Sequence, residues 1–464
     1  MRLPQYKITQ DRRTMLVLLA LDGAAGIVVF NIIANFRGIA PHPIFSPLAY
    51  PLLLLAAAIF LIDGYNGRTD MLSVDYLSLH TIAVLAAMVA TLLLTFAFFP
   101  VGYELHSSRG VIALGFVALI PITVGYRRLI CMQTASGRSG SSFVFVGSRK
   151  GCQAFREECW RMGMQQAIIN SEIGEGAETG DAPGPDILHR SIEAVLADAA
   201  SGAITVEAIV LGDSATSLPA GLDQQLVRLF FQGVPTYTLE FFHQVYWHNI
   251  PLDGLDPAWL FQEGFQIARE PVFERMKRAC DIFLACVGVL LAAPFIAVAA
   301  IAILAEERGP VFFRQSRVGM HGVPFQILKL RTMRTHAPHR EGMYTQPGDS
   351  RVTRVGRLLR VTHLDEVPQI WNVLRGDMSL IGPRAEWDRL VEDYELKIPC
   401  YEFRHLVKPG ITGWAQVNYP YGASLDDTLR KLEYDLYYIR NFSFTLDASI
   451  IIKTIQVMLF GKGR

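Results

Sequence analysis

The chain has 464 residues, of which 51% are hydrophobic and 19% charged, and its 43 Lys and Arg residues balance 43 Asp and Glu residues. Soluble domains carry about a quarter charged residues. The composition therefore argues against a disordered chain, a nucleic-acid binder that relies on net charge and a fully soluble enzyme. The six cysteines form no CxxC pair and no metal-ligand spacing with histidine, which predicts free thiols.

Four apolar runs in the first 130 residues predict four transmembrane helices, within a segment 1–135. They cover about residues 14–34, 45–62, 78–99 and 111–126. About 20 residues cross a bilayer as a helix. Basic residues are concentrated before the first run and after the fourth, whereas the two presumed outer loops carry one each, Arg37 and Arg109. This distribution predicts that both ends of the bundle face the cytoplasm.

One acid, Asp22, lies inside the first apolar run. An ionisable residue within a membrane helix is either functional or held by a partner. Its position near the presumed cytoplasmic end favours a paired or snorkelling structural residue.

The middle segment, residues 140–245, alternates strand-like and helix-like patterns and predicts a small doubly wound sheet. The expected strands are 143–147, 166–170, 206–212 and 234–239, and the expected helices are 150–162, 186–200 and 219–232. The first turn, Gly147-Ser148-Arg149, lacks the second glycine of a dinucleotide fingerprint. A Rossmann-like regulatory or dimerisation domain without a cofactor is therefore favoured, and residues 172–186 are expected to form a flexible loop.

Residues 282–304 form an uncharged apolar run with Pro294 at its centre. By length the run could span a bilayer. A proline inside a helix removes a hydrogen bond and forces a kink, so a helix that enters the membrane, breaks at Ala293-Pro294 and returns is the other interpretation. Hydrophobic periodicity does not separate the two.

Four arginines recur at every third position downstream: Arg351, Arg354, Arg357 and Arg360. On a helix they form a cationic stripe beside an apolar one. A solvated face would explain the stripe, but the lack of acids between the arginines favours contact with phosphate oxygens or lipid headgroups.

An acidic pair, Asp365-Glu366, follows this stripe. Thr362 is the expected N-cap and Pro368 is tolerated only in a first turn, so both acids should start a helix that ends near Arg375. The helix dipole favours their ionised forms. Because adjacent helical residues point about 100° apart, one acid can face a reacting phosphorus while the other holds a divalent cation. A simple capping preference is the alternative.

Several further motifs accompany the acidic pair. They are KRACDIFLACVGVLLAAP, GPVFFRQSRVG, KLRTM, DSRVTRVGRLLR, THLDEVPQIWNVLRGDMSLIGPR and KPGITGWAQVN. From about Phe273 to the C-terminus the chain thereby resembles the bacterial sugar transferases, the monotopic polyprenol-phosphate phosphoglycosyl transferases. The four apolar runs and the middle segment are similar to those of the large exopolysaccharide members.

The resemblance implies transfer of a sugar 1-phosphate from a UDP-sugar to undecaprenyl phosphate, which initiates exopolysaccharide biosynthesis. Asp365 would form a covalent phosphosugar intermediate with release of UMP, and Glu366 would bind Mg²⁺. The implied phosphate and substrate contacts are Arg331, Arg360, Arg384, Lys408 and Gln416. The implied membrane-entry residues are Lys277, Arg278, Asp281 and Pro294.

The fold expected from the whole chain is α/β with membrane helices: a four-helix N-terminus, a small Rossmann-like domain and, over 270–464, a mostly α catalytic domain with a re-entrant helix at 282–304. The resemblance implies a multi-pass protein of the cytoplasmic (inner) membrane, with its catalytic domain on the cytoplasmic face. Exopolysaccharide glycosyltransferases and export proteins would be partners, a homodimer is possible, and no nucleic-acid partner is expected.

Two departures from the family pattern stand out. Ala293 replaces the serine that usually precedes the re-entrant proline, and Ala385 replaces the proline of G-P-R-P, with Glu386 following. The second departure could alter the sugar pocket, and the motifs leave the sugar open. The alternative function is a membrane-anchored NAD-dependent nucleotide-sugar epimerase or dehydratase. The missing glycine and the lack of a Tyr-x-x-x-Lys motif near an active-site strand count against it.

Overall fold

The structure is a computed structural model. It describes residues 6–38, 44–66, 69, 71–98, 109–138, 141–164, 166–171, 187–189, 191–201, 203–212, 222–231, 233–252, 271–334, 349–420, 422 and 424–460. The chain divides into two compact units, Met1–Trp247 and His248–Arg464. The loop expected at 172–186 lies outside the described residues.

The first unit begins with four apolar helices, as the sequence predicts. They are α1 (Tyr6–Phe36), α2 (Ala49–Leu61), α3 (Val74–Phe98) and α4 (Arg109–Arg138). By length and composition α1, α3 and α4 are able to cross a membrane. The second is shorter: with the preceding 3₁₀ turn it covers Ser46–Leu61, about 24 Å at 1.5 Å per residue, against a hydrocarbon core of about 30 Å.

The acid inside α1 is paired, which confirms the structural interpretation of Asp22. Arg127 of α4 donates to both of its carboxylate oxygens, at 2.7 and 2.6 Å. Tyr65, which follows α2, donates to it at 2.6 Å, and Tyr126 is a further donor. Asp22 is 2% exposed and Arg127 is fully buried. A buried charge is tolerated when it is paired and hydrogen-bonded, so this pair fastens α1 to α4.

The second part of this unit is a five-stranded parallel sheet of order β3-β2-β1-β4-β5. Its elements are β1 (Ser141–Val146), α5 (Arg149–Arg161), β2 (Ala167–Ser171), β3 (Ile187–His189), α6 (Ile192–Ser201), β4 (Thr205–Leu211), α7 (Leu222–Phe231), β5 (Thr236–Thr238) and α8 (Leu239–Phe242). Alternate residues of β1 enter different core clusters, Phe143 and Phe145 one and Val144 and Val146 the other. Both faces of the sheet are therefore covered.

One prediction in this region is wrong. Residues 187–189 were expected to begin a helix, but they form the edge strand β3, whose Ile187 pairs with Ile168 of β2. A strand of three residues is too short to show a local pattern in the sequence. It forms because it pairs with a neighbouring strand that is distant in sequence. The helix begins only at Ile192.

The second unit contains the remaining elements. They are α9 (Pro271–Glu306), β6 (Phe312–Val318), β7 (Pro324–Leu330), α10 (Arg354–Val361), α11 (Ile370–Arg375), β8 (Ser379–Ile381), α12 (Asp388–Lys397), β9 (Gly410–Thr412), α13 (Trp414–Asn418), α14 (Leu425–Arg440) and α15 (Phe444–Phe460). Strands β6 and β7 form an antiparallel hairpin, and β8 pairs with β9 in parallel. A 3₁₀ segment, Leu364–Gln369, lies between α10 and α11, and another, Tyr401–Leu406, lies between α12 and β9.

A short segment, His248–Leu252, is the N-terminal part of this unit. Ile250 is fully buried, and its N–H donates to the carbonyl of Glu433 in α14 at 3.1 Å. The indole of Trp414 donates to the carbonyl of His248 at 2.9 Å. These bonds attach the segment to α13 and α14.

Helix α9 packs on the β hairpin through both of its halves. Ala285 lies in one core cluster with Ile327 of β7, and Ile303 lies in another with Leu330 of the same strand. The residues around Pro294 face outward, and Leu290, Leu291, Phe295 and Val298 are each more than 60% exposed. The middle of α9 is therefore a bare apolar surface.

The two ends of α9 are fixed by polar contacts within the unit. At the N-terminal end Lys277 pairs with Asp447 at 2.5 Å, and Asp281 accepts from the Ser379 hydroxyl and the Leu380 N–H at 3.1 Å each. Arg278 donates to the carbonyls of Val373 and Leu374 at the end of α11. At the C-terminal end Glu306 accepts from the backbone N–H groups of Arg354 and Val355.

Candidate active site

The acidic pair lies on the 3₁₀ segment Leu364–Gln369 and not in the first turn of an α-helix. The expected N-cap, Thr362, is the C-terminal cap of α10, and its hydroxyl donates back to the Leu358 carbonyl at 2.9 Å. His363 begins the new segment in a left-handed conformation with φ 55°. This reversal makes α10 end before the acids, so that the acids lie above β7.

Glu366 is held by two cations. Lys329 of β7 contacts its Oε1 at 2.6 Å and Arg384 contacts the same oxygen at 3.1 Å. Burial by itself would raise the pKa of Glu366, but Arg384 and Lys329 outweigh it and hold the pKa well below its usual range. Glu366 is therefore ionised throughout the physiological range.

The pKa of Asp365 is shifted in the opposite direction, upward. Burial raises the pKa of its carboxyl, the negative charge of Glu366 raises it further, and Lys329 and Arg360 offset part of the rise. The neighbouring acids are thus driven apart in pKa, a pattern that assigns different roles to two carboxyl groups.

The predicted arginine contacts occupy different places. Arg360 donates to the Thr332 hydroxyl at 2.9 Å, below the acids, and Arg384 reaches Glu366 directly. Arg331 is buried and donates to the carbonyls of Glu307 and Arg308 after α9. The structure thus gives Arg331 a helix-capping contact, and its phosphate contact stays a prediction. Arg351 lies before α10 and pairs with Asp349 at 2.6 Å, so it is not part of the helical arginine stripe that the sequence predicts.

The two glycine-containing motifs interlock behind Arg384. A side chain on Gly382 or Gly410 would meet the backbone of the other motif at less than 2.5 Å, and one on Gly413 would meet the Gly382 carbonyl. Lys408 is half-buried beside this crossing, and the Gln416 amide donates to the Ile411 carbonyl at 3.2 Å. Glycine is required here because the two backbones touch.

A buried ion pair supports Arg384 from behind. Arg404 donates to the carbonyl of Arg384 at 2.9 Å and to Asp435 of α14 at 3.0 Å. Burial raises the pKa of Asp435 to about 6, although Arg404 opposes the rise.

Lys329 and Arg404 are two residues of the site that the sequence motifs do not predict. For Lys329 a signal existed, since it is the single charged residue in the apolar strand Pro324–Leu330. For Arg404 there was none, because Asp435 lies 31 residues away on another element.

Asp365 and Glu366 are the acids that could hold a magnesium ion. Mg²⁺ is usually held by one or two carboxylates together with substrate phosphates. Both cations contact Oε1 of Glu366, so Oε2 and the neighbouring Asp365 are the oxygens suited to the metal. The described segments contain no group of three or more His, Cys, Asp or Glu side chains able to hold a metal. The residues therefore fit an ion that arrives with phosphate ligands.

The first turn of the parallel sheet does not fit a dinucleotide. The Ser148 hydroxyl accepts from the Gly151 N–H at 3.2 Å and so caps the start of α5. A side chain on Gly147 would meet the ring of Phe145 at 2.9 Å, which explains this glycine by packing.

An ionised glutamate clasped by two cations beside a buried aspartate is an arrangement suited to phosphate chemistry, and comparison with known proteins agrees. A family model described as "Bacterial sugar transferase" matches residues 272–461. A UDP-glucose:undecaprenyl-phosphate glucose-1-phosphate transferase of Caulobacter vibrioides is 43% identical over 214 residues, 46% of this chain and 80% of that protein. The chain belongs to the bacterial sugar transferase family.

Two other relatives differ in how much they share. A UDP-N-acetylgalactosamine-undecaprenyl-phosphate N-acetylgalactosaminephosphotransferase of Aeromonas hydrophila is 38% identical over 280 residues, 60% of this chain and 65% of that protein. An exopolysaccharide production protein of Rhizobium leguminosarum is 39% identical over 196 residues, 40% of this chain and 98% of that protein. The Rhizobium protein is thus matched almost throughout by less than half of this chain.

Proposed function

We propose that this chain transfers a sugar 1-phosphate from a UDP-sugar to undecaprenyl phosphate, with Asp365 as the nucleophile. The observation that carries the proposal is the clasp of Glu366 by Lys329 and Arg384 directly beside Asp365. The Caulobacter and Aeromonas relatives are named for reactions of this type, and their names supply the two substrate classes.

In the first step a carboxylate oxygen of Asp365 attacks the β-phosphorus of the UDP-sugar. The bond from that phosphorus to the bridging oxygen breaks, and UMP leaves with the oxygen and its electron pair. Lys329 and Arg384 stabilise the negative charge on the phosphoryl oxygens. Asp365 must be ionised to attack, and its raised pKa makes the carboxylate more basic and so a better nucleophile.

In the second step an oxygen of undecaprenyl phosphate attacks the same phosphorus. The acyl phosphate bond breaks, Asp365 is regenerated, and the product carries the sugar on a lipid diphosphate. One phosphoanhydride replaces another, so catalysis consists mainly of positioning and charge neutralisation. Mg²⁺, when bound by Glu366 and the substrate phosphates, supplies additional charge neutralisation.

A re-entrant α9 accords with this reaction, because the lipid substrate must meet a site that also receives a water-soluble nucleotide. From Ala285 to Ile303 a straight helix would extend about 27 Å. Their cluster partners Ile327 and Leu330 are only about 10 Å apart along β7. A bend near Pro294 reconciles the two lengths, and both ends of α9 contact the same unit.

The proposal places the catalytic unit on the cytoplasmic face of the inner membrane, in keeping with the basic residues that flank the N-terminal bundle. There it would start an exopolysaccharide chain for glycosyltransferases and export proteins. The homodimer stays a prediction.

The test is UMP release by the purified full chain with UDP-sugars, Mg²⁺ and undecaprenyl phosphate. Asp365→Asn should abolish release and prevent the mass increase of a phosphosugar adduct on the protein. Asp393→Asn, an exposed acid paired with Lys397, serves as the matched control and should be fully active. Full turnover by Asp365→Asn would refute the assignment of the nucleophile.

The NAD-dependent epimerase or dehydratase is not favoured. The family match lies in the second unit, and the turn after β1 is filled by its own serine cap.

A further inference from the structure

Glu386 follows Arg384 by two residues and lies beside the basic groups of the active site. It has no role in the two steps of the proposed reaction. It is separated from Arg384 by Ala385, whose side chain is buried at 5% exposure. Arg384 and Trp387 each form an isolated β-bridge, so the backbone between them is extended and its side chains alternate in direction. Glu386 therefore projects to the same side as Arg384, away from Ala385.

The charge of Glu386 is compensated, but its oxygens are not hydrogen-bonded. Arg317 approaches it to 3.7 Å, which is an ion pair beyond hydrogen-bond length. The N–H groups of Arg317 are directed elsewhere, to the Ala385 carbonyl at 3.0 Å and the Gln315 amide oxygen at 2.8 Å. Within the described part of the chain, no group donates a hydrogen bond to the side chain of Glu386, which is 23% exposed, whereas its backbone carbonyl accepts from the Val318 N–H at 3.1 Å.

The Glu386 carboxylate can therefore accept a hydrogen bond from a ligand. A carboxylate offers about four lone-pair positions, and the exposed part of the Glu386 side chain can accept from a ligand. Phosphate cannot supply the donor, since like charges repel. Of the remaining groups of a UDP-sugar, the uridine donors lie beyond the α-phosphate, whereas the sugar hydroxyls lie next to the β-phosphate that Arg384 is proposed to hold.

The distance also fits the sugar. Two residues of extended chain cover at most about 7 Å. The backbone distance from Arg384, the proposed phosphate contact, to Glu386 is therefore comparable to the length of one hexose. If the phosphate on C1 is held at Arg384, the far side of the ring meets Glu386.

Building on the proposed function, we propose that Glu386 determines sugar specificity by accepting a hydrogen bond from the C4 hydroxyl of the transferred sugar. Arg317 compensates the charge of the carboxylate at 3.7 Å without occupying its lone pairs. A site built around a substrate hydroxyl rejects analogues that lack or misplace it, because its polar group is then left unpaired.

The experiment measures UMP release by the full chain with UDP-glucose, UDP-galactose and their 2-acetamido forms. The best sugar is then compared with its C4 epimer and its 4-deoxy analogue, using wild type, Glu386→Ala and Glu386→Gln. Glu386→Ala should lower kcat/KM for the best sugar about 10- to 150-fold, the range of a hydrogen bond to a charged group. It should leave kcat/KM for the 4-deoxy analogue unchanged, so the two losses are not additive. Glu386→Gln, which keeps an acceptor, should lose less.

Glu392→Ala, an exposed acid on α12, is the control and should behave as wild type. An equal loss on all sugars, the 4-deoxy analogue included, would make Glu386 a structural partner of Arg317 and overturn the proposal, as would no loss at all. If wild type itself released no UMP from any sugar, the proposed function would fail, a result distinct from either of these.

Discussion

At the scale of single residues, the site depends on two adjacent acids that differ in proton affinity. Glu366 is clasped by Lys329 and Arg384, whereas Asp365 is buried beside the resulting negative charge. Lys329 and Arg384 hold Glu366 in the structure, and in the proposed reaction they also meet the phosphates of the nucleotide. Burial and, after it, the charge of Glu366 raise the pKa of Asp365.

Replacing Glu366 by Gln should move the acid limb of the pH profile to lower pH. Burial and the charge of Glu366 both raise the pKa of Asp365, while Lys329 and Arg360 lower it. Loss of the Glu366 charge removes one raising cause and frees Lys329, so the pKa of Asp365 falls and its carboxylate persists into more acidic solution. UMP release in a single turnover, followed from pH 4 to 8, should show this shift along with a rate about 10²–10³-fold lower. An unmoved limb, or one at higher pH, would contradict the coupling; Glu392→Gln should match wild type.

At the scale of helices, the buried Asp22–Arg127 pair joins α1 to α4 of the N-terminal bundle. Removing one partner of a buried ion pair leaves the other charge unpaired and costs about 3–5 kcal/mol. The bundle of the Arg127→Met variant should therefore unfold at a distinctly lower denaturant concentration. Far-UV circular dichroism of the protein in detergent measures this. Asp22→Leu combined with Arg127→Met should be less destabilised than Arg127→Met alone, because no charge stays buried. Equal or additive losses would show that the pair is not desolvated.

Helix α9 gives a prediction about topology. Arg275, near the start of α9, and Arg314, in β6 after it, are both exposed, and a re-entrant helix leaves both on one side of the membrane. In a chain with Cys280 and Cys286 replaced by serine, cysteines introduced by Arg275→Cys and by Arg314→Cys should each be labelled from the cytoplasmic side only. Arg37 follows the C-terminal end of α1, in a loop expected on the outer side of the membrane. A cysteine introduced by Arg37→Cys should therefore be labelled only from that outer side. Labelling of positions 275 and 314 from opposite sides would mean that α9 spans.

The sequence predicts elements well where the signal is local and fails where it is long-range. The apolar helices, the parallel strands β1, β2 and β4 and the pairing of Asp22 follow from runs, alternation and the cost of a buried charge. The strand β3, the left-handed turn at His363 and the clasp of Glu366 by Lys329 do not, because each depends on a partner that is distant in sequence. The close approach of the two backbones at Gly382 and Gly410 is likewise a contact between motifs that are distant in sequence.

At the scale of the whole molecule, the second unit begins earlier than the family match does. The match starts at residue 272, whereas the unit starts at His248. Between them lies the buried segment His248–Leu252, in which Ile250 is fully buried and Leu252 is 8% exposed. A relative from Rhizobium is matched over 98% of its length by 40% of this chain, so a transferase of this family does not need the first unit in every case.

A shortened chain that begins at residue 245 should therefore fold and release UMP, whereas one that begins at residue 270 should be markedly less stable. Loss of Ile250 and Leu252 removes about 1.5–3 kcal/mol of burial for each, together with the hydrogen bonds to Glu433 and Trp414. For a unit of this size each kcal/mol lowers Tm by about 2–4 °C, so a difference of at least about 6 °C is expected in calorimetry. Ile250→Ala in the longer piece should reproduce about half of the loss, and Val272→Ala, at an exposed position, should not. Equal Tm values for the two pieces would show that the His248–Leu252 segment contributes nothing to the stability of the catalytic unit.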